Sequence, residues 1–444
     1  HKELRMQAST QPRIPFYRGL TGYHWLVLAV ACLGWSFDTM DQWLYVFVKQ
    51  HALRGLLPPE IADADVSRYV GLAQTALILG WATGGILFGM IGDMLGRTRT
   101  MILTIIMYAG FTGLSALSRT WQDFLILRFL TGLGVGGEFA AGAALVAETL
   151  PAHARSAALG IVQASSALGN VTAGLIHMAV YAMAPPETAW RWTLAVGALP
   201  MLLVVVIFLF IREPELWLAA RKTARERVRA GKHSGQGISA LFKEKEIRRN
   251  TLIGLSIAAI GVIGFWGIST WTPELLRSIL AKNSPELAKG TVERWVGLAG
   301  IAQNLGAFLG ALCFAPLAER FGRRAAFAVA FGGCLVVIPV TFTFTTSPTT
   351  ALIFFAAMGF MLLYLLSGCA VYFPELFPTR LRATGAGFCY NAARYLSAPS
   401  PALFGQLSAM MGLQRAALSL SLIFVLGLLL LPLAPETRGK PLPE

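Results

Sequence analysis

The sequence predicts an all-α membrane protein of twelve transmembrane helices, arranged as two pseudo-symmetric six-helix bundles. Three observations predict it: too little charge for a water-facing surface, twelve apolar runs of membrane-spanning length, and two motifs that recur at one offset in the second half. Hydrophobic residues fill 55% of the 444 positions and charged residues only 14%, against about 25% charged in a soluble domain. A formal charge of +14 would suit a nucleic-acid partner. Its distribution follows membrane topology instead, so a lipid bilayer is expected around the chain and no nucleic acid. Cys32, Cys313, Cys334, Cys369 and Cys389 stand singly in apolar segments with no ligand spacing, and the chain is expected to use no metal and no cofactor.

A helix needs roughly 20 mostly apolar residues to cross a hydrocarbon core of about 30 Å. That length is met near 22–48, 69–91, 100–118, 122–148, 156–181 and 191–211, and again near 250–272, 294–316, 325–345, 350–373, 383–407 and 413–432. The runs lack the alternation of a barrel strand. Residues 1–211 therefore form one bundle, 212–249 a basic cytoplasmic linker lying at the headgroups, and 250–444 a second bundle. With the N-terminus cytoplasmic, 25 of the 37 Lys and Arg fall on the inner side and 10 on the outer. That bias places both termini in the cytoplasm of a multi-pass inner-membrane protein. Trp43, Tyr45, Trp121, Trp190, Trp192, Trp271 and Trp295 gather near the outer ends, where amphipathic rings prefer to sit.

The two halves repeat each other. Residues 93–97 read Asp-Met-Leu-Gly-Arg and residues 319–323 read Glu-Arg-Phe-Gly-Arg, 226 positions apart. Glu148-x-x-Pro151-x-x-x-Arg155 returns as Glu375-x-x-Pro378-x-x-x-Arg382, 227 positions apart. Each copy occupies the same predicted inner loop of its half, which a duplicated six-span unit explains.

On these motifs the whole chain resembles the major facilitator superfamily. Gly89-x-x-x-Asp93-x-x-Gly96-Arg97-x-Arg99 resembles that family's signature between the second and third spans, and Arg128-x-x-x-Gly132-x-Gly134-x-Gly136-Gly137-Glu138 its fourth-helix motif. Pro214-Glu215-x-Trp217-Leu218 is similar to a segment of sugar and organic-ion members. The run from Arg382 to Arg394 and the pair Asp38 and Asp41 resemble the carboxylate branches, the sialate and aromatic-acid proton symporters. The resemblance implies the major facilitator fold and a gating role for Gly89, Asp93, Gly96, Arg97, Glu148 and Arg155, and for Glu319, Gly322, Arg323, Glu375 and Arg382. Asp93 is then expected to face the positive N-terminus of span eleven, with Arg97 as its partner. A plain basic turn that sets topology is the alternative.

Ionisable residues within a span are costly, so each is a functional candidate. Five stand at mid-bilayer, away from the ends of the predicted spans: Asp38, Asp41, Arg128, Glu138 and Arg394. Asp38 and Asp41 share one helix face. Two adjacent buried carboxylates are hard to ionise together, which suits a proton-coupling site. Arg128 and Glu138 are expected in the same network, with Arg128 holding a carboxylate ionised; the alternative is a static cluster that fixes helix packing. No acid lies inside a predicted span of the second half, so the countercharge of Arg394 must cross the cavity or come from a ligand. A guanidinium fork matches a carboxylate bidentately, which makes Arg394 the expected anion-binding residue. Asn391, Tyr390, Tyr395, Gln303, Asn304 and Gln163 could add hydrogen bonds to substrate, or could simply tie helices together.

The expected function is proton-coupled symport of a small organic carboxylate by rocking of the halves, in a protein that works as a monomer, with the organic anion and protons as its partners. A sugar or organic-cation transporter of the same architecture, or a uniporter without proton coupling, is the alternative. A channel would need a filter segment, and an enzyme a cluster of reactive groups at one depth. The sequence contains neither, so no enzymatic activity is expected.

Overall fold

The structure is a computed structural model that describes residues 17–219, 222, 238–378 and 381–439. Much of the linker expected over 212–249 lies outside the described residues. The first half runs through Gly22–Leu56 (span one), Asp63–Leu95 (two), Arg97–Ser115 (three), Trp121–Thr149 (four), Ala152–Met183 (five), and Pro186–Val196 with Met201–Phe210 (six). In the second half, span seven is Lys245–Val262, a π-helical turn Ile263–Ile268, a 3-10 turn Ser269–Trp271 and Thr272–Asn283. Then follow Lys289–Phe321 (eight), Arg323–Phe344 (nine), Pro348–Leu376 (ten), Arg382–Ser397 with Pro399–Met411 (eleven), and Leu413–Ser421 with Ile423–Leu430 (twelve).

Among the described residues nine helices are long and apolar enough to cross a membrane on those two criteria alone. The three that fall short are Gly22–Leu56, which carries Asp38 and Asp41, the 19-residue Arg97–Ser115, and span eleven, interrupted at Ala398. Several helices also outrun their predicted limits: span seven extends to Asn283 and span eight starts at Lys289. Hydropathy marks only the apolar middle of a helix, so polar turns at the ends were read as loops.

The duplication is visible in the backbone. A Cβ added at Gly80 or Gly84 of span two would strike the carbonyls of Phe129 and Leu133 in span four. In the second half, Gly306 and Gly310 of span eight stand in the same way against the carbonyls of Ala356 and Phe360 in span ten. These pairs sit 226 and 227 positions apart, the offsets of the sequence motifs. Small residues let helix backbones touch where no hydrophobic force drives association. The sharp joints repeat as well. Gly96 alone links spans two and three with φ +112°, and Gly322 alone links spans eight and nine with φ +96°, a backbone region that favours glycine.

The halves meet along two helix pairs. Span two lies on span eleven, with Gly71 against Pro401 and Thr75 Oγ1 donating to the carbonyl of Ala398 at 2.8 Å. Span five lies on span eight, with Gly174 against Ile301 and Gly297 against Met178. Both seams run from the end remote from the termini (the far end) to midspan. On the way to the terminal end, the last hydrogen bonds across them among the described residues are Thr83–Tyr395 at 2.8 Å and Asn170–Asn304 at 2.7 Å. Past Gly85, which still faces Asn391, the halves part: Gly89 and Gly387 both face open space. Gly89, expected to act in gating, has no neighbour within 4 Å of a Cβ in this arrangement.

Replacing Gly84 or Gly310 with Val should push the paired spans apart and cost about 1–3 kcal/mol, the usual penalty of overpacking. Gly332, which faces open space, is the control position. Thermal unfolding in detergent should show a lower Tm for both Val variants and little change for Gly332→Ala.

Candidate functional site

Span one delivers Asp38 and Asp41 into the interior of the first half, and span four delivers Arg128 and Glu138; all four are buried. Glu138 Oε2 accepts the Thr104 hydroxyl at 2.7 Å, and its Oε1 lies against Gly34, one turn before Asp38. Gln42 Nε2 donates to Asp38 Oδ2 at 3.3 Å. Thr112 Oγ1 donates to Asp41 Oδ2 at 2.9 Å. Arg128 Nη2 donates to the same Thr112 oxygen at 3.3 Å and to Ser115 Oγ at 2.6 Å. The expected network therefore exists, but Arg128 holds no carboxylate directly, because a threonine hydroxyl stands between it and Asp41. Tyr45 and Phe124 present their rings to the guanidinium at 5.2 and 5.3 Å, and Asp38 Oδ1, Asp41 Oδ1, Arg128 Nε and Arg128 Nη1 are buried without a hydrogen-bond partner.

Arg394 is half-buried in the opposite half. Its Nη1 donates to Asn391 Oδ1 at 3.0 Å, and its guanidinium carbon lies 4.4 Å from the centre of the Trp81 ring. It stands within electrostatic reach of Asp38, as do Glu138 and Asp41. Tyr395 meets Thr83 across the seam, and Tyr390 packs edge-on against Phe373. Three candidates on other helices are engaged differently. Thr272 Oγ1 donates to Gln303 Oε1 at 2.7 Å and Gln303 Nε2 donates to the carbonyl of Ser269 at 3.3 Å, which ties span eight to the irregular turn of span seven. Asn304 accepts from Asn170 in the seam between the halves. Gln163 is exposed on span five.

The duplicated loop motifs form duplicated ion pairs. Arg97 Nη2 lies 2.9 Å from Glu148 Oε1, and Arg323 Nη2 lies 2.7 Å from Glu375 Oε1. The sequence reading paired Arg97 with Asp93; the structure brings Glu148 to Arg97, and the side chain of Asp93 lies outside the described residues. Arg155 and Arg382 turn back onto the backbone carbonyls of Leu150 and Pro374, and Glu319 is exposed. Two glutamates that the sequence reading missed complete the arrangement. Glu213 accepts the backbone N–H groups of Thr98 and Arg99, and Glu436 those of Arg323 and Arg324. Each carboxylate caps the helix N-terminus that follows the joint glycine. Partial burial works against the charge of Glu436, but the backbone N–H groups of Arg323, Arg324, Arg438 and Thr437 together outweigh it and hold its carboxyl below the usual range. The signal was available: Glu213-Pro-Glu and Pro-Glu436-Thr follow the sixth and twelfth spans.

A further charged cluster adds to the five ionisable residues expected at mid-bilayer and overturns the expectation that the second half has no acid within its spans. Lys49, His177, Glu274 and Glu293 are buried in helices near the far end, with Arg277 beside them. Arg277 donates to Glu293 through Nε at 2.9 Å and Nη2 at 2.7 Å, and to the Phe47 carbonyl of the first half at 2.6 Å. His177 Nε2, also of the first half, lies 2.9 Å from Glu293 Oε2, and His51 Nε2 lies 3.6 Å from Glu293 Oε1. Spans one and five are thereby joined to spans seven and eight. The residues escaped notice because Glu274 and Glu293 fall just beyond the apolar limits drawn at 272 and 294.

Removing Arg277 would leave Glu293 buried without its cation, a loss of about 3–5 kcal/mol for a buried pair broken on one side. In lipid nanodiscs, Arg277→Ala should accelerate hydrogen–deuterium exchange across 170–181 and 290–304. Unchanged exchange would mean that this pair does not hold the far end together.

Comparison with known proteins agrees with this architecture. The Major Facilitator Superfamily profile matches residues 52–292, and the Sugar (and other) transporter profile matches residues 226–444. The chain is 31% identical over 414 residues to a probable 4-methylmuconolactone transporter of Cupriavidus pinatubonensis, covering 91% of this chain and 89% of the relative. It is 28% identical over 338 residues to a cis,cis-muconate transport protein of Acinetobacter baylyi, covering 76% and 78%. A crystal structure of a D-xylose-proton symporter superposes with a TM-score of 0.72 at 18% identity, covering 94% of this chain and all of that one. With its duplicated bundles, paired loop motifs and matches along almost the whole length, this chain is a membrane transporter of the Major Facilitator Superfamily.

Proposed function

We propose that the chain is a proton-coupled symporter of a small organic carboxylate, working by alternating access in the inner membrane with both termini cytoplasmic. One observation carries the reading. Arg394 is a half-buried midspan guanidinium that no carboxylate approaches to salt-bridge distance among the described residues, while the buried acids Asp38, Asp41 and Glu138 stand in the other half. A fixed internal ion pair would quench such an arginine. Here its charge acts on the acids from a distance and its fork is open to an anion.

The division of labour follows from this placement. The substrate carboxylate engages Arg394, with Asn391, Tyr390 and Tyr395 beside it on the same helix. A proton taken up in the Asp38–Asp41–Glu138 network removes negative charge facing the incoming anion, so the two ligands favour each other's binding. Thr112 passes the change at Asp41 on to Arg128. With the termini cytoplasmic, the closed far end and parted terminal end correspond to a cavity open to the cytoplasm. The return to the other state would bring Gly89 and Asp93 toward span eleven, where contacts made in only one state bias the equilibrium. The named relatives, transporters of an unsaturated lactone and an unsaturated dicarboxylate, support an organic acid over a sugar or a cation.

Proteoliposome uptake tests the proposal directly. Muconate or benzoate should enter faster under an inward proton gradient, Arg394→Ala should abolish uptake, and Asp41→Asn should remove the stimulation by the gradient. Uptake of every acid tried that ignores the gradient would sink the coupling. Uptake that survives without Arg394 would sink the anion site.

A further inference from the structure

Arg394 is held by a ring rather than by an acid. The indole of Trp81 lies 4.4 Å from its guanidinium carbon and Asn391 accepts one of its N–H groups. Trp81 belongs to span two, in the opposite half, and its place is tightly set. Its backbone nitrogen and carbonyl lie against Gly132 and Gly136 of span four, where a Cβ on either glycine would strike them. Its ring meets Trp266 edge-on at 5.4 Å and 80°, and Trp266 packs on Phe265 at 5.2 Å. Trp266 sits in the π-helical turn Ile263–Ile268, an irregularity that recurs at functional sites. The glycine run of span four thus fixes an aromatic wall beside the one cationic fork at midspan in the second half.

We propose that Trp81 is the positioning and specificity-determining residue of the anion site, and that with Trp266 it selects flat, conjugated carboxylates over puckered, saturated ones. The proposal rests on the carboxylate reading above. The face of an indole is the negative pole of its quadrupole and attracts a guanidinium. A carboxylate partner would occupy the N–H edge of the fork, whereas the indole face meets the guanidinium carbon and Asn391 takes Nη1 alone, which leaves Nε and Nη2 to a ligand. The arginine therefore keeps a stabilising neighbour inside the membrane and remains able to grip a ligand bidentately. In a conjugated acid the carboxylate and the carbon frame share one plane, so a molecule gripped by the fork extends flat along the Trp81 ring, which Trp266 braces edge-on. A saturated ring leaves that plane and loses the aromatic contact. Without the indole, the guanidinium is free to turn toward Asp38, with which it already interacts across the cavity, and the site loses its pre-set geometry.

The test compares proteoliposome uptake of benzoate and cyclohexanecarboxylate, which share charge and size and differ in flatness. Wild type should prefer benzoate. Trp81→Leu should raise the KM for benzoate by about tenfold, the scale of a desolvated cation–π contact plus aromatic packing, and bring the KM ratio of the two acids close to one. Trp81→Tyr and Trp81→Phe should fall between, in the order of ring–cation strength. If Trp81→Leu does not fold, that aromatic series decides alone, and equal preference across Trp, Tyr and Phe overturns the proposal. A lower maximal rate for both acids with an unchanged KM ratio would assign Trp81 to packing only and overturn it as well. Wild-type uptake of both acids without preference refutes the role of Trp81 while leaving the carboxylate reading intact. Uptake of neither, with muconate refused as well, refutes both.

Discussion

A hydrocarbon interior offers no hydrogen-bond partners, so each polar group placed there must find one inside the protein or wait for a ligand. The described structure is organised by that constraint. At the terminal end, Arg97 and Arg323 meet Glu148 and Glu375, and two further glutamates cap exposed helix N-termini. At the far end, Arg277 and Glu293 satisfy one another and take up a backbone carbonyl and a histidine from the other half. Midspan is different. There Thr112 mediates between Asp41 and Arg128, and a ring rather than a carboxylate stands beside Arg394. Buried polar atoms without a hydrogen-bond partner remain in both places, at Asp38, Asp41 and Arg128 midspan and at Lys49 and Glu274 near the far end.

Glycine backbone contacts make each half stiff. Spans two and four, and spans eight and ten, touch main chain to main chain, and such close contacts tolerate little sliding. The seams between the halves use the same device at Gly71 against Pro401 and Gly405 against Ser67, and add the hydrogen bonds Thr83–Tyr395 and Asn170–Asn304 and the far-end cluster.

The repeat and its violations divide the labour. Glycine pairs, joint glycines and Arg–Glu pairs occur twice at an offset of 226 or 227, the capping glutamates twice at 223, and together they build the scaffold. Asp38, Asp41, Arg128 and Glu138 lie in the first half, and Arg394 and the Arg277–Glu293 pair in the second. Symmetry supplies the frame, and the departures from it concentrate the buried acids in the first half and the midspan guanidinium of Arg394 in the second.

Much of this was legible in one dimension. Hydropathy and charge along the chain determine that it spans a membrane, because transfer from water is nearly additive over a helix. The common offset of two motifs determines the duplication, and mid-bilayer cost singles out Asp38, Asp41, Arg128, Glu138 and Arg394 without knowledge of their neighbours. Which partner each charge meets was decided only by the tertiary structure. Helix rotation and crossing place Glu148 at Arg97, Thr112 between Asp41 and Arg128, and Trp81 at Arg394, and neither quantity is encoded in local hydropathy. The far-end cluster was hidden for a related reason. Its acids lie on polar helix turns that an apolar ruler ends too soon, and only the packing of spans one, five, seven and eight buries them together.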